Sequence, residues 1–278
     1  MWGLLMALLV AAGVFIVKLP DGKLHFWALD VGQGDAILLV LPDGNKVLVD
    51  GGADDKVVQR LAEVLPFYDR TIELVILTHP HPDHMIGLIE VIKRYDVGRL
   101  VMTGIKYDYP GYDAFLETVA KKQVPVLFAD GKKDLKFGEV ILDFLFPLAP
   151  IQGQYFGNVN NSSIVFRVLY GNNAFILQGD LEKEGEAQLA ASGLDLRASV
   201  IKVGHHGSRT ASSDDYLAKV LADFAVISCG AGNRYNHPHI ETMRALKKYR
   251  VKVRRTDLDG TVEFASDGNV IEIRPLRV

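Results

Sequence analysis

Ile72-Glu73-Leu74-Val75-Ile76-Leu77-Thr78-His79-Pro80-His81-Pro82-Asp83-His84 is the stretch from which the rest of the chain can be read. The apolar run over Ile72–Leu77 suits a buried strand. It ends at Thr78, and three histidines and an aspartate follow within six residues. Imidazole nitrogens and carboxylate oxygens are donors suited to zinc, manganese or iron. A tight loop leaving a rigid strand can aim alternate side chains at neighbouring points. His79 and His81 can then hold one metal, while Asp83 and His84 hold a second about 3.5–4 Å away. Pro80 and Pro82 restrict the loop, which lowers the cost of ordering such a cluster. The plain alternative is a histidine-rich surface turn. The eight histidines of the chain are far from evenly spread, which favours the cluster.

Two more segments offer what that loop lacks. Phe175-Ile176-Leu177-Gln178-Gly179-Asp180 ends a strand-like run with a carboxylate that can bridge two metals. Asp180 could instead cap a helix beginning near Leu181. Val203-Gly204-His205-His206-Gly207-Ser208 follows another buried run and offers two more imidazoles. A glycine-rich turn with solvated histidines is the other reading of that segment.

Around these segments the pattern is that of sheets covered by helices. Strands are expected at Leu24–Val31, Ala36–Leu41, Lys46–Asp50, Leu100–Met102, Val126–Phe128 and Val140–Phe146. A second set is expected at Ile164–Tyr170, Ala174–Gln178, Ser199–Val203, Ala225–Cys229, Val251–Arg254, Thr261–Ala265 and Val270–Ile273. Helices are expected at Asp54–Leu65, Met85–Arg94, Tyr112–Gln123, Glu182–Ala191, Asp214–Val220 and Ile240–Lys248. No Pro/Ser-rich linker divides the two halves, so residues 24–278 read as one α/β domain.

The order HxHxDH, distal Gly-Asp, distal His resembles the metallo-β-lactamase superfamily. A closer resemblance is carried by Asp30-Val31-Gly32-Gln33-Gly34-Asp35-Ala36, Val49-Asp50-Gly51-Gly52, Asn161-Ser162-Ser163, His205-His206-Gly207-Ser208 and Gly230-Ala231-Gly232-Asn233-Arg234-Tyr235-Asn236-His237-Pro238-His239. Together these are similar to the hydrolase domain of the ComEC family of competence DNA-uptake proteins, in the same order over about 250 residues. The resemblance implies a four-layer αββα sandwich and two divalent metal ions, zinc or manganese. His79 and His81 would bind one ion, Asp83 and His84 the other, and Asp180 would bridge them. His205, first after its strand, is favoured as a further ligand over His206, which would contact substrate beside a catalytic Asp83. His237 would stabilise the phosphate or protonate the leaving oxygen. Asp35, Asn161, Ser162, Ser208 and Asn233 are the candidate substrate contacts. For Asp35 and its turn, a purely structural role as a tight connection is equally open. Many superfamily members carry another histidine ligand before the Gly-Asp. Here no histidine lies between Met85 and Gly204, and Asn160 or Asn161 stands in that place. One site is therefore expected to be weak, or better suited to manganese.

The implied activity is metal-borne hydrolysis of a phosphodiester, with single-stranded DNA as substrate. The competing readings are hydrolysis of a small ester, lactam or choline phosphodiester, and a non-catalytic DNA-binding module tethered to a membrane. The net charge of −3 is not that of a non-specific nucleic-acid binder, so a polyanion must be held by a local patch or by metal. Arg244–Arg255 is the one basic cluster; it is either a phosphate track or a solvated helix face followed by a charged edge strand. The single cysteine, Cys229, excludes an intrachain disulfide and lies in an apolar stretch, as a core residue would.

Residues 1–19 form the remaining segment. Met1–Val17 carries no charged side chain and no basic residue precedes it, which favours an uncleaved membrane anchor over a signal peptide. Lys18 and Lys23 follow it, and the positive-inside rule would place the domain in the cytoplasm on those two charges alone. The channel of many helices that the ComEC family carries is not in this sequence, so a separate channel protein is an expected partner.

Overall fold

The computed structural model describes residues 20–131 and 134–276. The anchor expected over residues 1–19 lies outside the described residues. Among the described residues no helix is long and apolar enough to cross a membrane.

Two sheets face each other. The first has eight strands in the order β17-β16-β1-β2-β3-β5-β7-β8, where β1 is Leu24–Ala28, β2 Ile37–Val40, β3 Lys46–Val49, β5 Leu74–Ile76, β7 Leu100–Met102, β8 Val126–Phe128, β16 Thr261–Ser266 and β17 Ile271–Leu276. The second has seven, in the order β15-β14-β13-β12-β11-β10-β9, where β9 is Leu135–Phe137, β10 Val140–Phe146, β11 Val165–Tyr170, β12 Asn173–Leu177, β13 Val200–Lys202, β14 Phe224–Ile227 and β15 Lys252–Arg255. A two-stranded ribbon, β4 (Thr71–Ile72) with β6 (Asp96–Val97), stands apart.

Successive strand residues point to opposite faces, and here both faces are apolar. Phe26 of β1 faces the other sheet, as do Leu39 and Ile76, and they meet Phe166, Phe175 and Leu177 from the second sheet in a shared core. Their neighbours Leu38, Leu48 and Val75 point outward onto helices α1 (Lys56–Val64), α2 (Pro82–Arg94) and α3 (Pro110–Lys121). On the far side Ile176, Ile201 and Ile227 point onto α4 (Lys183–Ala191), α5 (Asp214–Val220) and α6 (Ile240–Lys248). The layers run helix, sheet, sheet, helix, which is the sandwich expected of the sequence. A short α7 (Thr256–Asp259), β9 and the ribbon had no expected counterpart; none is longer than four residues, too short for a readable period.

The topology also fixes where chemistry can collect. Strands β3, β5, β7 and β8 pair in parallel, as do β12, β13, β14 and β15. Ligand sites in such sheets form outside the carboxyl ends of parallel strands. Asp50 follows β3, His79 follows β5, Asp180 follows β12, His206 follows β13 and Ser228 follows β14.

One boundary matters for the site. Helix α2 starts at Pro82, three residues before the expected Met85, so Asp83 and His84 lie on its first turn rather than in a loop. Pro82 suits that position because its missing N–H would have no intrahelical partner there.

Candidate metal centre

Two glycine-bearing turns set the position of α2. Asp35 N donates to Asp83 O at 3.1 Å, and Gly51 N donates to His84 O at 2.7 Å. A Cβ on Gly34, which has φ +131, would lie 2.2 Å from Asp83 O. One on Gly87 would lie 1.9 Å from Gly51 O. Only glycine lets these backbones approach so closely. The turns around Asp30–Asp35 and Asp50–Gly52 thus hold the metal-loop helix in place.

His84 is fully buried. Its Nδ1 lies 2.8 Å from Asp50 Oδ2, and Asp50 also accepts hydrogen bonds from Thr78 N and Thr78 Oγ1. His206 Nδ1 lies 3.0 Å from the Ser228 carbonyl and 3.2 Å from Asp35 Oδ1. A carbonyl only accepts, so Nδ1 keeps its proton there and Nε2 is the nitrogen that can give up its proton to a cation. The two Nε2 atoms, of His84 and His206, lie 3.3 Å apart. His206 Nε2 is also 3.3 Å from Asp83 Oδ2 and 3.4 Å from Asp180 Oδ2, and His84 Nε2 is 3.3 Å from Asp180 Oδ1. That Asp180 oxygen is buried yet accepts no hydrogen bond. An orphaned carboxylate oxygen facing two inward-pointing imidazole nitrogens is a donor set that a divalent cation fits.

Asp35, His84, Asp180 and His206 place donor atoms within 4.8 Å of one another, and so do His79, His81 and Asp180. Asp180 belongs to both sets. The cluster is therefore compatible with a dinuclear centre bridged by one carboxylate. His79 Nε2 approaches Asp180 Oδ2 at 3.9 Å and His81 Nδ1 at 3.1 Å. Burial, then the neighbouring His84, pushes the His79 pKa well below normal, so its lone pair is available. Burial also disfavours charge on His84, but the Asp180 and Asp50 carboxylates outweigh it and raise its pKa well above normal. His206 behaves likewise beside Asp180 and Asp35. His81 and Asp83 are only partly buried, so the site opens to solvent on their side.

Of the two adjacent histidines, His206 and not the expected His205 lies in a donor set. His206, 1 % exposed and locked to Ser228, joins the donor set and has no face for substrate. His205 belongs to neither donor set. Its Nδ1 contacts Thr210 Oγ1 at 3.0 Å and Glu182 Oε1 at 3.2 Å, and its Nε2 lies 3.8 Å from Asp180 Oδ2. Both residues have left-handed backbone, with φ 49 and 53, a conformation that costs energy outside glycine and clusters at functional sites.

The five expected substrate contacts are engaged internally. Asp35 lies behind His206, 2.8 Å from the buried Lys202 Nζ. Burial would raise its pKa, but Lys202 and His206 hold it down at about 2. Asn161 donates to Glu184 and accepts from Glu182 N. Ser162 Oγ donates to Val159 O, and Ser208 Oγ is paired with Thr210 Oγ1. Asn233 braces its own loop, donating to Gly230 O and His237 O and accepting from Tyr235 N and His237 N.

His237 is brought to the cluster, with ring centroids 5.6 Å from His205 and 6.2 Å from His206. Burial, then His206 and His205, lowers its pKa to about 4, so it is neutral at neutral pH. Tyr107, 5.9 Å from the His81 ring, and Tyr235, 5.6 Å from His237, stand at opposite members of the cluster. The sequence assigns no site role to Tyr107, Glu182 or Lys202, and Asp50 and Tyr235 enter only as members of their motifs. Asp50 had a signal, because it ends a strand as Asp180 does. Cys229 is buried, and burial with Asp257 beside it pushes its thiol up to about 12, as for an inert core residue.

The profile of the metallo-β-lactamase superfamily matches residues 29–231. ComE operon protein 3 of Bacillus subtilis is 31 % identical over 256 residues, covering 85 % of this chain and 32 % of that protein. Competence protein ComA of Neisseria gonorrhoeae is 29 % identical over 280 residues, covering 98 % and 37 %. The chain therefore spans about a third of the length of these relatives. Among solved structures, the metallo-β-lactamase fold protein YhfI of Bacillus subtilis superposes with a TM-score of 0.56 at 14 % identity, covering 88 % of this chain and all of that one. With the sandwich, the histidine-aspartate cluster and the matched profile in agreement, this chain belongs to the metallo-β-lactamase superfamily and, within it, resembles these competence proteins.

Proposed function

We propose that this metal-dependent hydrolase cleaves phosphodiester bonds in single-stranded DNA. The observation that carries the reading is the pair of donor sets sharing Asp180 at a solvent-open mouth between the two sheets. When bound there, two divalent ions would supply Lewis acidity toward a phosphoryl oxygen and lower the pKa of a water. The chain's own residues do the rest. Asp50 and Ser228 hold the Nδ1 protons of His84 and His206, so that Nε2 faces inward. Asp83 is part-exposed, and despite burial its carboxyl is held low by His206 and His84. It stands at the open side of the cluster, where it can accept a proton from the attacking water. His237, neutral at rest, can hydrogen-bond to the phosphate or the leaving oxygen. The names of the competence relatives support DNA as the substrate, and so does an open mouth instead of a closed pocket.

Membrane attachment through Met1–Val17 and a separate channel partner belong to the same proposal; recovery of the full chain only in the soluble fraction would remove the first. The central experiment is cleavage of a single-stranded oligonucleotide after chelation and after refilling with zinc or manganese. Activity should vanish on chelation and return best with manganese. Asp180→Ala should lower the content of both metals together and reduce cleavage by more than Asn161→Ala. Cleavage that survives complete chelation sinks the proposal.

A further inference from the structure

The loop Gly230–His239 leaves β14 and enters α6, and it carries more than His237. Tyr235 is 44 % exposed although it stacks on His237, with ring centroids 5.6 Å apart and planes at 23°. The exposed Arg234 guanidinium lies 4.9 Å from the Tyr235 ring centroid, and its Nη2 donates to Tyr235 Oη at 2.7 Å. The four hydrogen bonds of the Asn233 side chain fix the loop that presents both groups. Two residues whose side chains stay largely in water are thus held in one arrangement beside the metal cluster. The Tyr235–His237 stack is what places this pair beside the metal cluster.

An exposed ring and the cation lying over it match two adjoining parts of a nucleotide, the base and its phosphate, once the flexible guanidinium swings to the phosphate. We infer that Arg234 and Tyr235 form a nucleotide grip that gives the site its preference for a single-stranded polynucleotide over a small diester. The inference rests on the phosphodiesterase reading and adds the residues that select the substrate. Tyr235 takes an unpaired base by stacking, and Arg234 takes a phosphate beyond the one being cleaved. Stacking depends on the base, so a ribose strand and a deoxyribose strand should feel Tyr235 equally. Neither contact is open to a diester that lacks a second phosphate and a base.

The test compares full-length Tyr235→Ala, Tyr235→Phe and Arg234→Ala with the parent. The substrates are a short oligodeoxythymidylate, an oligouridylate, an oligomer of abasic sites of equal length, and a small dialkyl phosphate diester without rings, followed by phosphorus NMR. Tyr235→Ala should raise KM for both base-bearing oligomers on the order of tenfold, leave kcat in place, and change neither the abasic oligomer nor the small diester. Tyr235→Phe keeps the ring and should stay near the parent. Arg234→Ala should raise KM for all three oligomers and flatten the salt dependence. A 2-aminopurine oligonucleotide bound to chelated protein should be quenched by the parent and not by Tyr235→Ala, which reads the stack without turnover. Loss of kcat on every substrate with a shifted pH profile would make Tyr235 a shield for His237 and overturn the grip. So would an unchanged KM and unchanged quenching. Failure of the parent to cleave any oligomer while it hydrolyses the small diester would count against the DNA reading; the quenching comparison would still decide the grip.

Discussion

His205 and His206 occupy consecutive left-handed backbone positions, and that local conformation separates what two identical side chains can do. His206 Nε2 points among Asp83, His84 and Asp180, whereas His205 stays against Glu182 and Thr210. His206→Ala should therefore remove an ion, read as metal content of purified protein, and take activity with it. His205→Ala should keep the ion that His84 holds. His237→Ala should keep both ions and lose about 10²-fold or more in kcat, as expected when a charge stabiliser or proton donor is removed. Loss of metal from the His237 variant would make that residue a ligand. The motif named every one of these histidines, because strand-end spacing is a one-dimensional signal. It could not say which of two neighbours turns inward, because φ at a single residue is set by Gly204, Gly207 and the packing around them. For the same reason it read Asp35, Asn161, Ser162, Ser208 and Asn233 as substrate contacts. A polar side chain near a motif looks the same in sequence whether it braces the backbone or faces a ligand.

At the scale of single elements, strand β1 shows how a pairing partner far along the chain sets a local property. His25 Nδ1 lies 2.6 Å from Glu263 Oε1 on β16, and its Nε2 lies 3.0 Å from Asp21 Oδ1. The hydrogen bond to Glu263 leads in raising the His25 pKa; burial opposes it and Asp21 adds to it. The folded value is above the unfolded one, so the contribution is complete below the unfolded pKa of about 6.5. It is lost as pH rises through the higher folded value. Stability from urea titrations should therefore fall as pH rises above about 6.5 in the parent. His25→Gln should lose on the order of 1 kcal/mol at pH 6 and show a smaller pH dependence. An unchanged slope in the variant would remove His25 as its source. Periodicity made β1 readable as a strand, and it ends at Ala28 instead of the expected Val31. Its partner β16 lies more than two hundred residues away, beyond what a local pattern records. The basic stretch Arg244–Arg255 spends part of its charge on neighbouring carboxylates. Lys248 pairs with Asp214, Arg254 with Asp259 and Arg255 with Asp257, on α6 and on the edge strand β15.

Across the whole molecule, the site exists only because two sheets are pressed together. Asp50, His79, His81, Asp83 and His84 come from the first half, and Asp180 and His206 from the second. The layered architecture was legible because both halves alternate strand and helix patterns, and because the motif order resembles a known family. The sheet order was not, since the first sheet recruits β16 and β17 from the far end of the chain. That closure makes the halves interdependent. Phe26 of the first sheet stacks on Phe175 of the second with centroids 5.5 Å apart, and both are fully buried. Phe26→Ala removes a ring from the core that both sheets share, so it should cost roughly 3–5 kcal/mol. If the sandwich is one cooperative unit, the loss must appear identically in every part of it. With Trp2 replaced by Phe in both proteins, Trp27 fluorescence reports on the first sheet, and far-UV circular dichroism reports on both. In a urea titration of Phe26→Ala the two signals should shift to a lower midpoint together, with the slope unchanged. Two separated transitions would show instead that each half folds on its own, and the metal centre would then be an interface between two bodies.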